Sequence, residues 1–152
     1  MRFHDQPRFP LGIKCASRNC GLKPVDKDLA LFVSEREASA AAIFTRNQFP
    51  GAPVILGRDT IKGGRLRAIA VNSKVSNVAT GAVGVENARR MAAATAAECG
   101  TTPDRVLVSS TGVIGVQLPI EKIEAGLRGM TSDLTDDPLV GARGIMTTDS
   151  HP

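Results

Sequence analysis

Along the first half of the chain the apolar residues fall in short blocks. DLALFVS (28–34), AAIFT (41–45), PVILG (53–57) and LRAIAVN (66–72) are each strand-length and aliphatic or β-branched. Turn residues such as Asn47, Pro50–Gly51 and Gly63–Gly64 separate them. Four strands are expected, and connections this short favour antiparallel neighbours. Residues 1–27 scatter Pro7, Pro10, Gly12, Gly21 and Pro24 through a basic, polar segment that reads as irregular.

The rhythm changes after about Gly84. The run VENARRMAAATAAECG (85–100) is rich in strong helix formers and ends on Gly100, so a helix is expected there. RVLVSS (105–110) reads as a strand. Pro119 stands at the first position of a helix with Ile120, Ile123 and Leu127 on one face. Asp137–Pro138 starts another, and GIMTTD (144–149) is expected to leave it as a strand. Strands come first and then alternate with helices. That order predicts an α/β (α+β) fold, a layered sandwich of sheet and packed helices, with 1–152 as a single domain.

Composition narrows the function. Apolar residues make up 42% and charged residues 22%, which excludes a disordered chain. Aromatics are 3%, with no Trp or Tyr, so Val, Ile, Leu and Ala must fill the core, and a base-stacking platform is excluded. The net charge of +4 is spread over separated positions, among them Lys14, Arg18, Lys23, Arg46, Lys62 and Arg89, so no nucleic-acid partner is expected. No stretch approaches the ~20 apolar residues of a membrane span. MRFHDQPRF puts charges and a proline where a signal peptide needs an apolar run. A cytoplasmic protein is expected. Cys15, Cys20 and Cys99 lack a second metal-spaced pair and a nearby histidine, and read as free thiols with no metal and no cofactor.

Four loop clusters carry candidate chemistry. VNSKVSNVATG (71–81) places Asn72, Ser73, Lys74, Ser76 and Asn77 at a strand exit, either satisfying the turn backbone or forming a hydrogen-bonding wall for a polar small molecule. In VSSTGVIG (108–115) Ser110, Thr111 and Gly112 follow an apolar strand. They form either a plain strand exit or a loop whose N–H groups hold a developing oxyanion. MTTDS (146–150) reads as an Asx- or ST-type turn, or as a threonine reaching into a site. FTRN (44–47) puts Arg46 at a strand end, solvated or paired with a carboxylate. His4 and His151 lie at the two ends of the chain, away from any apolar framework, so no Ser–His–Asp or Cys–His set is expected. Neither a phosphate-binding GxxxxGK[ST] nor a GxGxxG is present.

The succession GIK (12–14), KDLAL (27–31), AAIFTRN (41–47), GAPV (51–54), VNS…N.ATG (71–81), STGVIG (110–115), LP (118–119) and IMTTDS (145–150) resembles the ornithine acetyltransferase family, the glutamate N-acetyltransferases. The match is collinear over nearly the whole chain. The resemblance implies a precursor that cleaves its own backbone before a threonine. The new N-terminal Thr, on a partner β chain, then carries an acyl group from an N-acyl amino acid such as N-acetylornithine to an amine such as glutamate. A Thr with a free α-amino group is nucleophile and base together, which accounts for the missing histidine. The family's oxyanion hole maps to Thr111 and Gly112, and its substrate-contacting threonine to Thr147 or Thr148. An (αβ)2 heterotetramer with amino-acid substrates, serving arginine biosynthesis, follows from the same resemblance. At His151–Pro152 the family continues with a Lys–Gly stretch and the nucleophile-bearing half, so an α-chain portion is expected. Where the family has NSGNAN this chain has NSKVSN, and Lys74 becomes a candidate carboxylate contact beside Asn72 and Asn77. The alternatives are a non-catalytic binding remnant of the fold and an amidohydrolase built on it.

Overall fold

The computed structural model describes residues 7–152, so His4 and most of the MRFHDQPRF segment lie outside the described residues. Four strands form one sheet in the order β1 (Ile13–Arg18), β2 (Leu29–Ser39), β3 (Arg65–Asn72), β4 (Val106–Ser110). The first three are antiparallel neighbours, although residues 40–64, with a helix among them, separate β2 from β3. β3 and β4 are parallel and joined through helix α2 (Gly81–Cys99), because a parallel return needs a crossover.

The alternating strand pattern and the helix-forming runs fold as read. In β3, Leu66, Ala68, Ala70 and Asn72 are buried while the residues between them are more open. α2 turns Ala88, Met91, Ala92 and Ala96 onto that sheet face and stops at Gly100, whose φ of 62° is the left-handed conformation a helix end favours. Helix α3 (Ile120–Leu127) adds Ile120, Ile123 and Leu127 to the same core, with Leu29, Leu31, Val106 and Val108 beneath. Helix α4 (Pro138–Ile145) opens where Asp137 accepts a hydrogen bond from the Leu139 N–H at 2.9 Å. It lies on the opposite face of the sheet, over Cys15, Ser17, Ala30 and Phe32. A Cβ on Gly141 would stand 2.5 Å from Phe32, and one on Gly144 would stand 2.8 Å from Ala30.

Four expectations need correction. PVILG is not a strand but part of helix α1 (Ala52–Thr60). Pro53 sits at its N-terminus, where its fixed φ and missing N–H suit a helix start, and a short apolar run cannot distinguish the two states. AAIFT forms no strand either. β2 pairs Ser39 with Arg65, and the Ala40 N–H reaches the Gly64 carbonyl at 2.9 Å. Beyond that point β3 has not begun, so 41–45 has no neighbour to pair with. GIMTTD is likewise no strand: Gly144 and Ile145 finish α4, and the Thr147 N–H closes a turn onto Asp149 at 2.9 Å. Conversely, the segment read as irregular contains β1. Its Cys15, Ala16 and Ser17 are small residues buried in sequence, which hides the alternation that marks a strand.

Candidate active site

β3 and β4 run parallel and end side by side, with Asn72 opposite Ser110. The carboxyl ends of parallel strands are where open α/β sheets collect their ligands. Past these ends the two exits stay paired. The Thr111 N–H donates to the Asn72 carbonyl at 3.0 Å and the Val113 N–H to the Lys74 carbonyl at 2.9 Å. Gly112, between them, has φ 129°, and a Cβ there would stand 2.3 Å from the Lys74 carbonyl carbon and oxygen. No other residue fits. Because the ladder uses the N–H groups of Thr111 and Val113, the Gly112 N–H and the Thr111 hydroxyl are the donors left without a partner among the described residues.

These donors border a cleft of about 610 Å³. Lys74, Thr111, Gly112 and Val113 line one side, Thr147 and Thr148 another, and Lys23, Pro24 and Asp26 of the β1–β2 connection complete it. Five of the seven sequence-derived candidates thus meet in one place. Lys74 is exposed and has φ 87°, a conformation that costs a side-chain-bearing residue about 1–2 kcal/mol.

Asn72 and Asn77 are not in that lining. Both are fully buried. Asn72 donates to the Val75 carbonyl at 2.8 Å and accepts from the Ser110 hydroxyl at 2.6 Å. Asn77 donates to the Gly84 carbonyl at 2.9 Å and accepts from the Thr80 hydroxyl at 2.8 Å. Ser76 donates its hydroxyl to the Val113 carbonyl at 2.9 Å. Most of the 71–81 cluster therefore satisfies the turn, and Lys74 alone of it faces the cleft. Arg46 is exposed and stands apart from it.

Lys23, Pro24 and Asp26 carried no motif and were missed; their only signal was a glycine- and proline-rich segment between apolar runs. Asp28 organises that loop. Its buried carboxylate accepts from the N–H groups of Cys20, Leu22 and Lys23 at 2.6, 2.7 and 2.8 Å. Burial and Asp28 push the Cys20 thiol up to about 12, and burial with Glu98 pushes Cys99 up to about 11. Neither is a thiolate nucleophile near neutral pH. His151 lines an adjoining hollow of about 440 Å³ with Ser109 and Asp149, nearer to apolar residues than its place in the sequence suggested. No hydrogen bond among the described residues links the three, and Asp149 is engaged by the Thr147 N–H, so no triad forms. Among the described residues no three His, Cys, Asp or Glu gather as a metal site, and no helix is long and apolar enough to cross a membrane.

Fold and cleft together define a mixed-sheet α/β protein that presents hydrogen-bond donors at the ends of two parallel strands. The chain belongs to the ArgJ family, whose model matches residues 14–152. It is 46% identical to the arginine biosynthesis bifunctional protein ArgJ of Thermotoga neapolitana, covering 93% of this chain and 36% of that protein. A mitochondrial ArgJ of Pyrenophora tritici-repentis is 42% identical over 95% of this chain and 34% of its own length. Among solved structures, ornithine acetyltransferase from Mycobacterium tuberculosis, complexed with ornithine, matches with a TM-score of 0.88 and 36% identity, over 94% of this chain and 79% of that one. ArgJ from Bacillus halodurans matches with the same TM-score at 33% identity, over 92% and 74%. The chain spans about a third of the length of the curated relatives it matches. The resemblance seen in the motifs is thus borne out for family and fold.

Proposed function

We propose that this chain is the α-chain portion of an N-acyltransferase that moves an acetyl group from N-acetylornithine to an amine such as glutamate, in arginine biosynthesis in the cytoplasm. The nucleophile is the N-terminal Thr of a partner β chain, and the assembly is (αβ)2. The observation that carries this reading is the pair of unengaged donors, the Gly112 N–H and the Thr111 hydroxyl, beside a cleft in which the described residues form no nucleophile–base hydrogen bond. In acyl transfer the former carbonyl oxygen gains charge as the nucleophile attacks. Donors already in place stabilise it without reorganising. The scissile carbonyl lies against Thr111 and Gly112, the β-chain Thr attacks, and its α-amine takes the hydroxyl proton and returns it to the leaving amine. Thr147 and Thr148 hold the substrate from the opposite wall, and Lys74 contacts a carboxylate. Asn72 and Asn77 support the wall from within.

The complete enzyme, given N-acetylornithine and glutamate, should form N-acetylglutamate in step with ornithine release. Free acetate in place of N-acetylglutamate would make it an amidohydrolase. Neither product would leave a binding module.

A further inference from the structure

Of the two lysines that line the cleft among the described residues, Lys23 is the one that the fold immobilises. Its ammonium donates to the carbonyls of Lys27 at 2.9 Å and Met146 at 2.6 Å, which ties the β1–β2 connection to the residue just before Thr147. An ammonium has three N–H donors, so one remains. Lys23 lines the cleft and is half-buried. It forms no ion pair among the described residues. Two carboxylates are near it in the chain. Asp28 uses its oxygens on three main-chain N–H groups, and Asp26, exposed on the same cleft, forms no ion pair with Lys23. Two carbonyl dipoles thus hold a positive charge that no carboxylate among the described residues pairs with, at the edge of a cavity.

We propose that Lys23 is the fixed carboxylate-binding residue of the cleft, recognising the α-carboxylate of an amino-acid substrate with its third N–H. This rests on the reading of the cleft as an acyl-transfer site. A held ammonium loses less freedom on binding than a free one, so Lys23 fixes the substrate's orientation. Lys74 is exposed, its ammonium has no partner among the described residues, and it has no such restraint. Because Lys23 also grips the Met146 carbonyl, it sets the threonine wall and the carboxylate site in one register.

The test is calorimetric binding of N-acetylornithine and of its α-carboxamide to the complete protein, with Lys23→Gln, Lys23→Arg and Lys74→Gly alongside. The expected result is that the parent protein prefers the carboxylate by about ten- to hundredfold, as for a charge-assisted hydrogen bond. Lys23→Gln should lose most of that preference by weakening the carboxylate ligand only, Lys23→Arg should restore part of it, and Lys74→Gly should reduce it less than Lys23→Gln does. A role confined to loop structure would weaken both ligands equally, and that result overturns the proposal. So does a parent protein that fails to distinguish them, which needs no variant to fold, and so does loss of the preference in Lys74→Gly alone. Carboxylate-selective, Lys23-dependent binding without any acyl transfer would overturn the catalytic reading and leave Lys23 as assigned.

Discussion

Thr111 and Gly112 contribute differently to the same task. The Thr111 N–H is committed to the Asn72 carbonyl, so only the hydroxyl is available to a ligand, whereas Gly112 offers its main-chain N–H. Thr111→Val removes the hydroxyl at similar volume. In the complete enzyme it should lower kcat by about 10²–10³ with little change in KM, as when one oxyanion donor is lost. Steady-state kinetics read both parameters, and near-normal kcat would return the loop to a plain strand exit. Gly112→Ala acts through structure: its Cβ would stand 2.3 Å from the Lys74 carbonyl and must displace the loop. It should lower both activity and melting temperature. Ser110 and Asn72 looked like site residues in the sequence because polar residues at strand ends mark turns and sites alike. Their mutual hydrogen bond at 2.6 Å decides the matter, and it joins residues 38 positions apart, which no local pattern reports.

At the scale of elements, segments with a clear period or stop signal were legible, and short apolar runs without one were not. α2, α3, β3 and β4 follow directly from helix formers, glycine stops and alternation. α1 was hidden because a five-residue aliphatic run suits either state, and β1 because its buried residues are small. The joints between elements depend on single side chains that no pattern marks, and Glu98 at the end of α2 is the clearest. Burial alone would raise its pKa, but hydrogen bonds from the Thr131 hydroxyl and the N–H groups of Thr131 and Gly129 outweigh that and hold it below the usual value. A carboxyl depressed in the fold favours folding above the unfolded value of 4.5, and that contribution is lost as pH falls through the folded value. Glu98→Ala should therefore cost about 1–3 kcal/mol above about pH 5. Melting curves of parent and variant should converge as pH drops below that range. A constant gap down to low pH would contradict the assigned role.

For the whole molecule, the cleft stands beside apolar surface. Val113, Ile114 and Val116, all in the loop after Thr111, are 52%, 63% and 46% exposed. A β chain that brings a nucleophile to Gly112 must pass over this loop, and obligate interfaces of that kind bury on the order of 2,000 Å² or more. Residues 1–152 expressed alone should then aggregate or bind hydrophobic dye without a cooperative melting transition. A monodisperse, cooperatively melting chain would count against the split enzyme. The most direct test follows the acetyl group itself. The complete enzyme is incubated with N-acetylornithine labelled in its acetyl carbons, quenched in acid, digested and mapped by mass spectrometry. The expected result is label on the N-terminal Thr of the partner chain, accumulating more slowly in Thr111→Val, and none on Thr111, Thr147 or Thr148. Label on any of these three, or turnover with no labelled threonine, would contradict a cleft that supplies the oxyanion site and receives its nucleophile from elsewhere.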